Sequence, residues 1–171
     1  MKIKIIFVFS LITLFISCST PAKYLKTSYN ENNNEGMIVG TICLEKKSFN
    51  GYTFVYTDAV TAVADYANMS DNFSYKNSSG DFKEKRKTYY LFSIVKPAGN
   101  YKFAKIQFFD NTRHKQVKWE VPLNMNFTIE KGKTTYFGQL TVNTKKKIYT
   151  IENKLDRDKI WFLKKAPKIQ F

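Results

Sequence analysis

A chain of 171 residues, 43% of them hydrophobic, has room for one domain with a sizeable core plus a leader, and only 7 Gly and 4 Pro exclude a collagen-like or low-complexity polymer. The formal charge of +14 is carried by lysine, with Arg86, Arg113 and Arg157 the only arginines. A surface so poor in guanidinium forks suits general attraction of anions better than base reading, so no nucleic-acid partner is expected. Aromatic content of 16%, with 15 Phe and 11 Tyr, favours pleated, half-buried surfaces.

The chain opens with Lys2 and Lys4 and an apolar run from Ile5 to Ile16, broken by Ser10 and Thr13. That run is shorter than the roughly 20 apolar residues needed to cross a bilayer and reads as a cleavable signal over 1–17. It ends on Phe15-Ile16-Ser17-Cys18. This ending resembles the bacterial lipobox, with small Ser17 before the cysteine and Phe15 standing where leucine is preferred. The resemblance implies that the Cys18 thiol takes a diacylglyceryl group, and that the amine freed by cleavage is then acylated, by palmitate for example. Several acyl chains give stable anchoring, so the expected partner is a membrane held through Cys18. Ser19 is not the aspartate of inner-membrane retention, and no acidic cluster follows Cys18. The expected location is therefore the bacterial outer membrane, on the periplasm-facing leaflet. Removal of Lys2 and Lys4 lowers the charge from +14 to +12. Cys43 is then the one remaining thiol and is expected to be buried and inert.

Residues 18–35 are polar and Asn-rich after the cysteine and read as a flexible tether, with the domain at 36–171. Gly36–Glu45 is a first strand, apolar on both faces, in which Gly40 marks a bulge or a close backbone approach. Gly51–Thr57 is a second. Between Asp58 and Lys87, the spacing of Val60, Val63, Ala64 and Ala67 fits a short helix, and a third strand is the alternative. Ser74–Lys87 reads as a long exposed loop or hairpin tip. Thr88–Val95 is a strand, Lys96–Asn100 a turn with Gly99 at positive φ, and Tyr101–Asp110 its hairpin partner. A turn over Asn111–Gln116 precedes a short strand, Val117–Val121, ending at Pro122. Asn126–Glu130, a Lys131-Gly132-Lys133 turn and Thr134–Val142 follow; period-two alternation puts Tyr136, Gly138, Leu140 and Val142 on one face. Lys145–Asn153 is the last strand. A helix over about 154–165 carries Leu155, Ile160, Trp161 and Leu163 on its apolar face, with Asp156 and Asp158 near its start and Lys164 and Lys165 near its end. Pro167 stops it. The fold class expected is mainly β, an antiparallel sandwich of immunoglobulin-like type with one C-terminal helix.

Three stretches carry a family likeness. They are Pro97-Ala98-Gly99-Asn100-Tyr101, then Gly132, Lys133, Tyr136 and Gly138, and finally Arg157, Asp158, Phe162 and Pro167. Together they resemble small bacterial lipoproteins of unknown function that carry a transthyretin-like or carboxypeptidase-regulatory-like β-sandwich. The likeness covers Lys96 to the end and, less closely, the chain from Gly36. Ala98 departs from the family turn by separating Pro97 from Gly99. The resemblance implies a transthyretin-like fold and a lipoprotein habit, and it brings no catalytic residues.

Chemistry is sparse. His114 is the sole histidine, so no paired-histidine metal motif exists, and a serine triad would rest on a residue in the polar turn Asp110–Gln116. Asp156 and Asp158 read as helix-start pairing with the dipole rather than as cation ligands. No P-loop, dinucleotide or EF-hand spacing occurs, so no cofactor and no metal are expected. The expectation is a non-enzymatic envelope lipoprotein, a structural or interaction module. The alternative is a binding module for anionic or glycan envelope ligands, and a third class is a hydrolase. Candidate anion-binding residues are Lys83, Lys85, Arg86 and Lys87; candidate sugar-stacking residues are Tyr89, Tyr90 and Trp119, for which core packing is the competing reading.

Overall fold

The computed structural model describes residues 25–45, 51–58, 64–68, 80–85, 87–112, 115–143 and 145–171. Nine strands occur among them: β1 (Glu35–Glu45), β2 (Gly51–Asp58), β3 (Ala64–Asn68), β4 (Phe82–Glu84), β5 (Lys87–Pro97), β6 (Gly99–Thr112), β7 (Lys115–Ile129), β8 (Thr134–Asn143) and β9 (Ile148–Glu152). One α-helix, α1 (Leu155–Lys165), follows. Sheet A has the order β4-β5-β1-β8-β9 and sheet B the order β3-β2-β6-β7. The fold is thus a mainly-β sandwich with a single C-terminal helix, as the strand spacing implies. Among the described residues, no helix is long and apolar enough to cross a membrane.

Two apolar layers explain the sequence pattern. The first lies between the sheets, where Ile38, Ile42, Phe92, Phe103, Ile106, Phe108, Leu123 and Leu140 are buried. The second lies on the outer face of sheet A, where Met37, Val39, Cys43, Phe82, Tyr89 and Leu91 pack under Phe162, Ala166, Ile169 and Leu25. A strand covered on both sides reads as a continuous apolar run. This is why β1 is buried from Gly36 to Leu44. By contrast β7, whose outer face meets solvent, alternates strictly between buried and exposed from Val121 to Glu130.

Several expectations are corrected. The sheet is not wholly antiparallel, because β1 runs parallel to β8. Strands β5 and β6 are not a hairpin: they belong to different sheets, and the chain crosses between them at Ala98. The corner is fixed by the Ala98 amide donating to the Asn34 carbonyl at 2.7 Å and the Tyr101 hydroxyl donating to the Pro97 carbonyl at 2.7 Å. Gly99 is not at positive φ there. Pro122 does not end a strand. It sits in β7, an edge strand, opposite Lys105 just past a register shift, where a missing N–H and a bulge are tolerated. Asn124, at φ 53, completes that irregularity.

The face assigned to β8 is also split. Tyr136 stands opposite Val39, while Gly138 stands opposite Gly40, so Phe137 is an extra residue in the ladder. Gly138 takes φ +120 to allow this. As a result Tyr136 joins the outer layer, while Phe137, Leu140 and Val142 face the core between the sheets. In the 58–87 stretch, Ala64–Asn68 is a strand paired with β2, and Phe82–Glu84 pairs with β5. The segment read as a tether touches the domain at two points: Leu25 is buried, and the Tyr29 hydroxyl donates to the Gly132 carbonyl at 2.7 Å.

The close approach suspected at Gly40 is real. A Cβ there would lie 2.6 Å from the Gly138 carbonyl oxygen and 2.6 Å from the Phe92 ring. Gly99 has no comparable neighbour, the nearest atom being 3.6 Å away on the Tyr101 ring. Chemical denaturation should therefore show Gly40→Ala losing about 2–3 kcal/mol and Gly99→Ala changing stability by less than about 1 kcal/mol. Equal effects at the two positions would contradict this packing.

Candidate functional site

The densest cluster of polar chemistry lies where α1 meets sheet A. Helical periodicity puts Leu155, Asp158, Phe162 and Lys165 towards the sheet. Asp158 and Phe162 are buried there, Asp158 completely. Ile160 and Leu163, expected on the buried face, are 53% and 64% exposed. The helix is rotated relative to the sequence expectation, and Asp158 is the reason.

Asp158 does not cap the helix. Its Oδ2 accepts from Thr41 Oγ1 on β1 at 2.7 Å and from the Tyr136 hydroxyl on β8 at 2.6 Å. Its Oδ1 accepts from Arg157 Nε at 2.8 Å and also from the second guanidinium nitrogen. Just ahead of the helix, the Asn153 side chain accepts from the Leu155 amide at 3.0 Å. A buried carboxylate is tolerated when such donors surround it. Burial and the neighbouring carboxylate push the Tyr136 hydroxyl well above the usual tyrosine range. Burial alone would pull Arg157 down, but Asp158 and Glu84 outweigh it and hold the guanidinium charged.

Arg157 also covers aromatic rings. Its guanidinium lies 4.6 Å from the Tyr89 ring centroid and 5.3 Å from that of Phe82. Phe82 stacks on Tyr89 at 4.7 Å and on Trp161 at 4.4 Å, both nearly parallel. Lys164 lies 4.8 Å over Trp161. Cys43, opposite Tyr89 in the ladder, is fully buried. Burial raises its thiol pKa, with the Tyr89 hydroxyl acting in the opposite direction, so the thiol stays protonated and unreactive. Near the start of α1, Asn153–Arg157 line an open groove of about 450 Å³, and a second depression of about 230 Å³ borders Tyr136–Gly138 and Ile151–Asn153.

The residues singled out from sequence are scattered by comparison. Cys18 and Arg86 lie outside the described residues, as does His114. Lys83 and Lys85 are exposed on β4 and the hairpin tip after it. Lys87 pairs with Glu45 at 2.8 Å, which raises its pKa first through that hydrogen bond. Tyr89 and Tyr90 are 6% and 2% exposed, one in each core layer, so neither offers a face to a sugar. Trp119 lies on β7, its side chain outside the described ones. Among the described residues, no group of three or more His, Cys, Asp or Glu side chains is placed to hold a metal. The cluster that does form, Thr41, Tyr136, Arg157 and Asp158, was missed as a unit. Its signal was an acid four residues before Phe162, on the same helical face.

No family model and no curated protein matches this chain. Among solved structures, a leucine-rich repeat protein from Bacteroides thetaiotaomicron VPI-5482 is similar over 65% of this chain at 12% identity, with a TM-score of 0.44. The chain spans 14% of that protein's length.

Removing the carboxylate should take a shared acceptor from the side chains of Thr41, Tyr136 and Arg157. Asp158→Ala is expected to lose about 3–5 kcal/mol in denaturant titration. Tyr136→Phe should cost about 1–2 kcal/mol at neutral pH. The raised Tyr136 pKa fixes the sign above neutrality. Its contribution is complete below the unfolded-state value of about 10 and is lost as pH rises towards the folded-state value. The stability gap between wild type and Tyr136→Phe should thus be constant to about pH 10 and shrink above it. A gap that widens with pH would contradict the assignment.

Proposed function

We propose that this protein is a lipid-anchored envelope lipoprotein whose sandwich serves as a non-enzymatic structural or interaction module. The observation that carries the reading is the lipobox-like Phe15–Cys18 ending of the apolar leader. The structured body lends support. Arg157 and Asp158 are engaged with Thr41, Tyr136, Tyr89 and Phe82 in holding the helix to the sheet. They act as structural fasteners. In this reading the Cys18 diacylglyceryl and acyl chains insert into the outer membrane, the domain faces the periplasm, and the fold is of the transthyretin-like kind that the sequence resembles.

A second reading, binding of anionic or glycan envelope polymers, draws on Lys83 and Lys85, both exposed at the β4–β5 hairpin. Its contribution would be sensitive to salt. Retention on an anionic polysaccharide column should then weaken in the double variant Lys83→Ala, Lys85→Ala; unchanged retention would remove this reading. The main reading is tested by metabolic labelling with palmitate. The wild type should incorporate label and fractionate with membranes, and Cys18→Ala should not be labelled. Equal labelling of the two would overturn it.

A further inference from the structure

The helix α1 is inverted in polarity. It buries Asp158 and turns Ile160 and Leu163 outward, at 53% and 64% exposure. At 100° per residue these two share one ridge, with Lys159 on one side and Lys164 on the other. Both lysines are exposed, as is Lys168 just beyond the helix. Asp156 lies on the same ridge at its first turn and is the acidic residue of that face. Aliphatic side chains flanked by lysine are the pattern of a helix that lies on an anionic lipid surface.

The chain's own connectivity says which surface comes near. Leu25 is buried in the same layer as Phe162, Ala166 and Ile169, on the helix side of sheet A. Seven residue steps separate it from Cys18, and a fully extended chain of that length reaches about 25 Å at most. Sheet B lies on the opposite face of sheet A, across the core between the sheets. A lipid on Cys18 therefore keeps the helix layer, not sheet B, close to the bilayer. The basic character of the chain, +14 in full and +12 once Lys2 and Lys4 are removed, agrees in sign with an anionic phospholipid leaflet.

We propose that the outward ridge of α1, Ile160 and Leu163 with Lys159 and Lys164, rests on the phospholipid headgroup region and fixes the orientation of the domain on the membrane. The two aliphatic side chains enter the boundary between headgroups and acyl chains, and the lysines meet phosphate groups. The acyl chains on Cys18 supply the affinity and the ridge supplies the orientation. Sheet B is thereby turned away from the lipid.

The proposal rests on the lipid-anchor reading, and the experiment separates the two. Full-chain protein purified from palmitate-fed cells is reconstituted into phosphatidylethanolamine–phosphatidylglycerol vesicles, with or without doxyl-labelled lipid. A fluorophore is attached at Leu163→Cys in one sample and at Lys102→Cys, an exposed position of β6, in the other; buried Cys43 does not take the label, and the parent protein without either added cysteine is labelled in parallel so that any signal from an unlipidated Cys18 is subtracted. Both positions are exposed, so neither substitution disturbs the core. Doxyl lipid should quench the probe at 163 by about two-fold or more and leave the probe at 102 nearly unchanged. Adding Ile160→Asp and Lys164→Glu should abolish the difference. Palmitate label present with equal or no quenching at 163 and 102 would overturn the proposal and leave the anchor reading intact. Quenching confined to 163 without palmitate label would uphold the membrane contact and refute the anchor.

Discussion

A carboxylate with no exposure to solvent sits in the middle of the layer between α1 and sheet A, and the arrangement of that layer depends on its partners. An unpaired charge at such a site would cost several kcal/mol, enough to remove much of the stability of a small domain. Thr41 and Tyr136 come from β1 and β8, neighbouring strands of sheet A, and Arg157 from the helix itself. The bonds therefore join three separate segments at one point. An eleven-residue helix is marginal by itself, so its conformation is owed to this docking and to Phe162 beneath it. Arg157 adds a role that lysine would not match, since one planar group both donates to Asp158 and lies over the rings of Tyr89 and Phe82.

The donor set in turn depends on a bulge. With unbroken alternation, Tyr136 would share a face with Leu140 and Val142 and point into the core between the sheets. The extra residue Phe137 and the positive φ of Gly138 reverse the parity between them. Tyr136 can then reach the helix, and Phe137 fills the inner core against Phe92 and Phe103. Gly40 lies opposite, where any side chain would meet Gly138 and Phe92. Two glycines and one added residue thus place the hydroxyl that holds Asp158.

Much of the strand layout was legible in the sequence, because alternation and turn residues act locally. Thr134–Val142 and the Gly132 turn before it are examples: the pattern needs no knowledge of distant partners. Pairing was less legible. Nothing local distinguishes a hairpin at Pro97–Gly99 from a step between sheets, since both strands carry the same period. The parallel match of β1 with β8 depends on a contact about a hundred residues away in sequence. Burial on both faces of β1 hinted at a covered sheet, and the cover proved to be the C-terminal helix. For the helix, counting apolar residues chose Ile160 and Leu163 as the inner face. The structure chose Asp158 and Phe162, because the donors placed by Thr41, Tyr136 and Arg157 compensate the carboxylate and Phe162 fills the layer beside it. Of the candidate binding residues, Tyr89 and Tyr90 followed the core reading that β-strand aromatics usually take.

The two outer surfaces of the sandwich consequently differ in kind. On the sheet B side, β7 follows the simple rule, with its exposed positions from Glu120 to Thr128 polar apart from Pro122. The helix side breaks it. Turning α1 by about half a rotation would point Ile160 and Leu163 at the sheet and release Asp158 to water. That rotation would separate Asp158 from Thr41 and Tyr136 and lift Phe162 out of its layer. The buried hydrogen bonds therefore do more than tolerate the exposed aliphatics. They select the one rotation of the helix that presents Ile160, Leu163 and the lysines outward, on the layer into which the N-terminal segment feeds through Leu25.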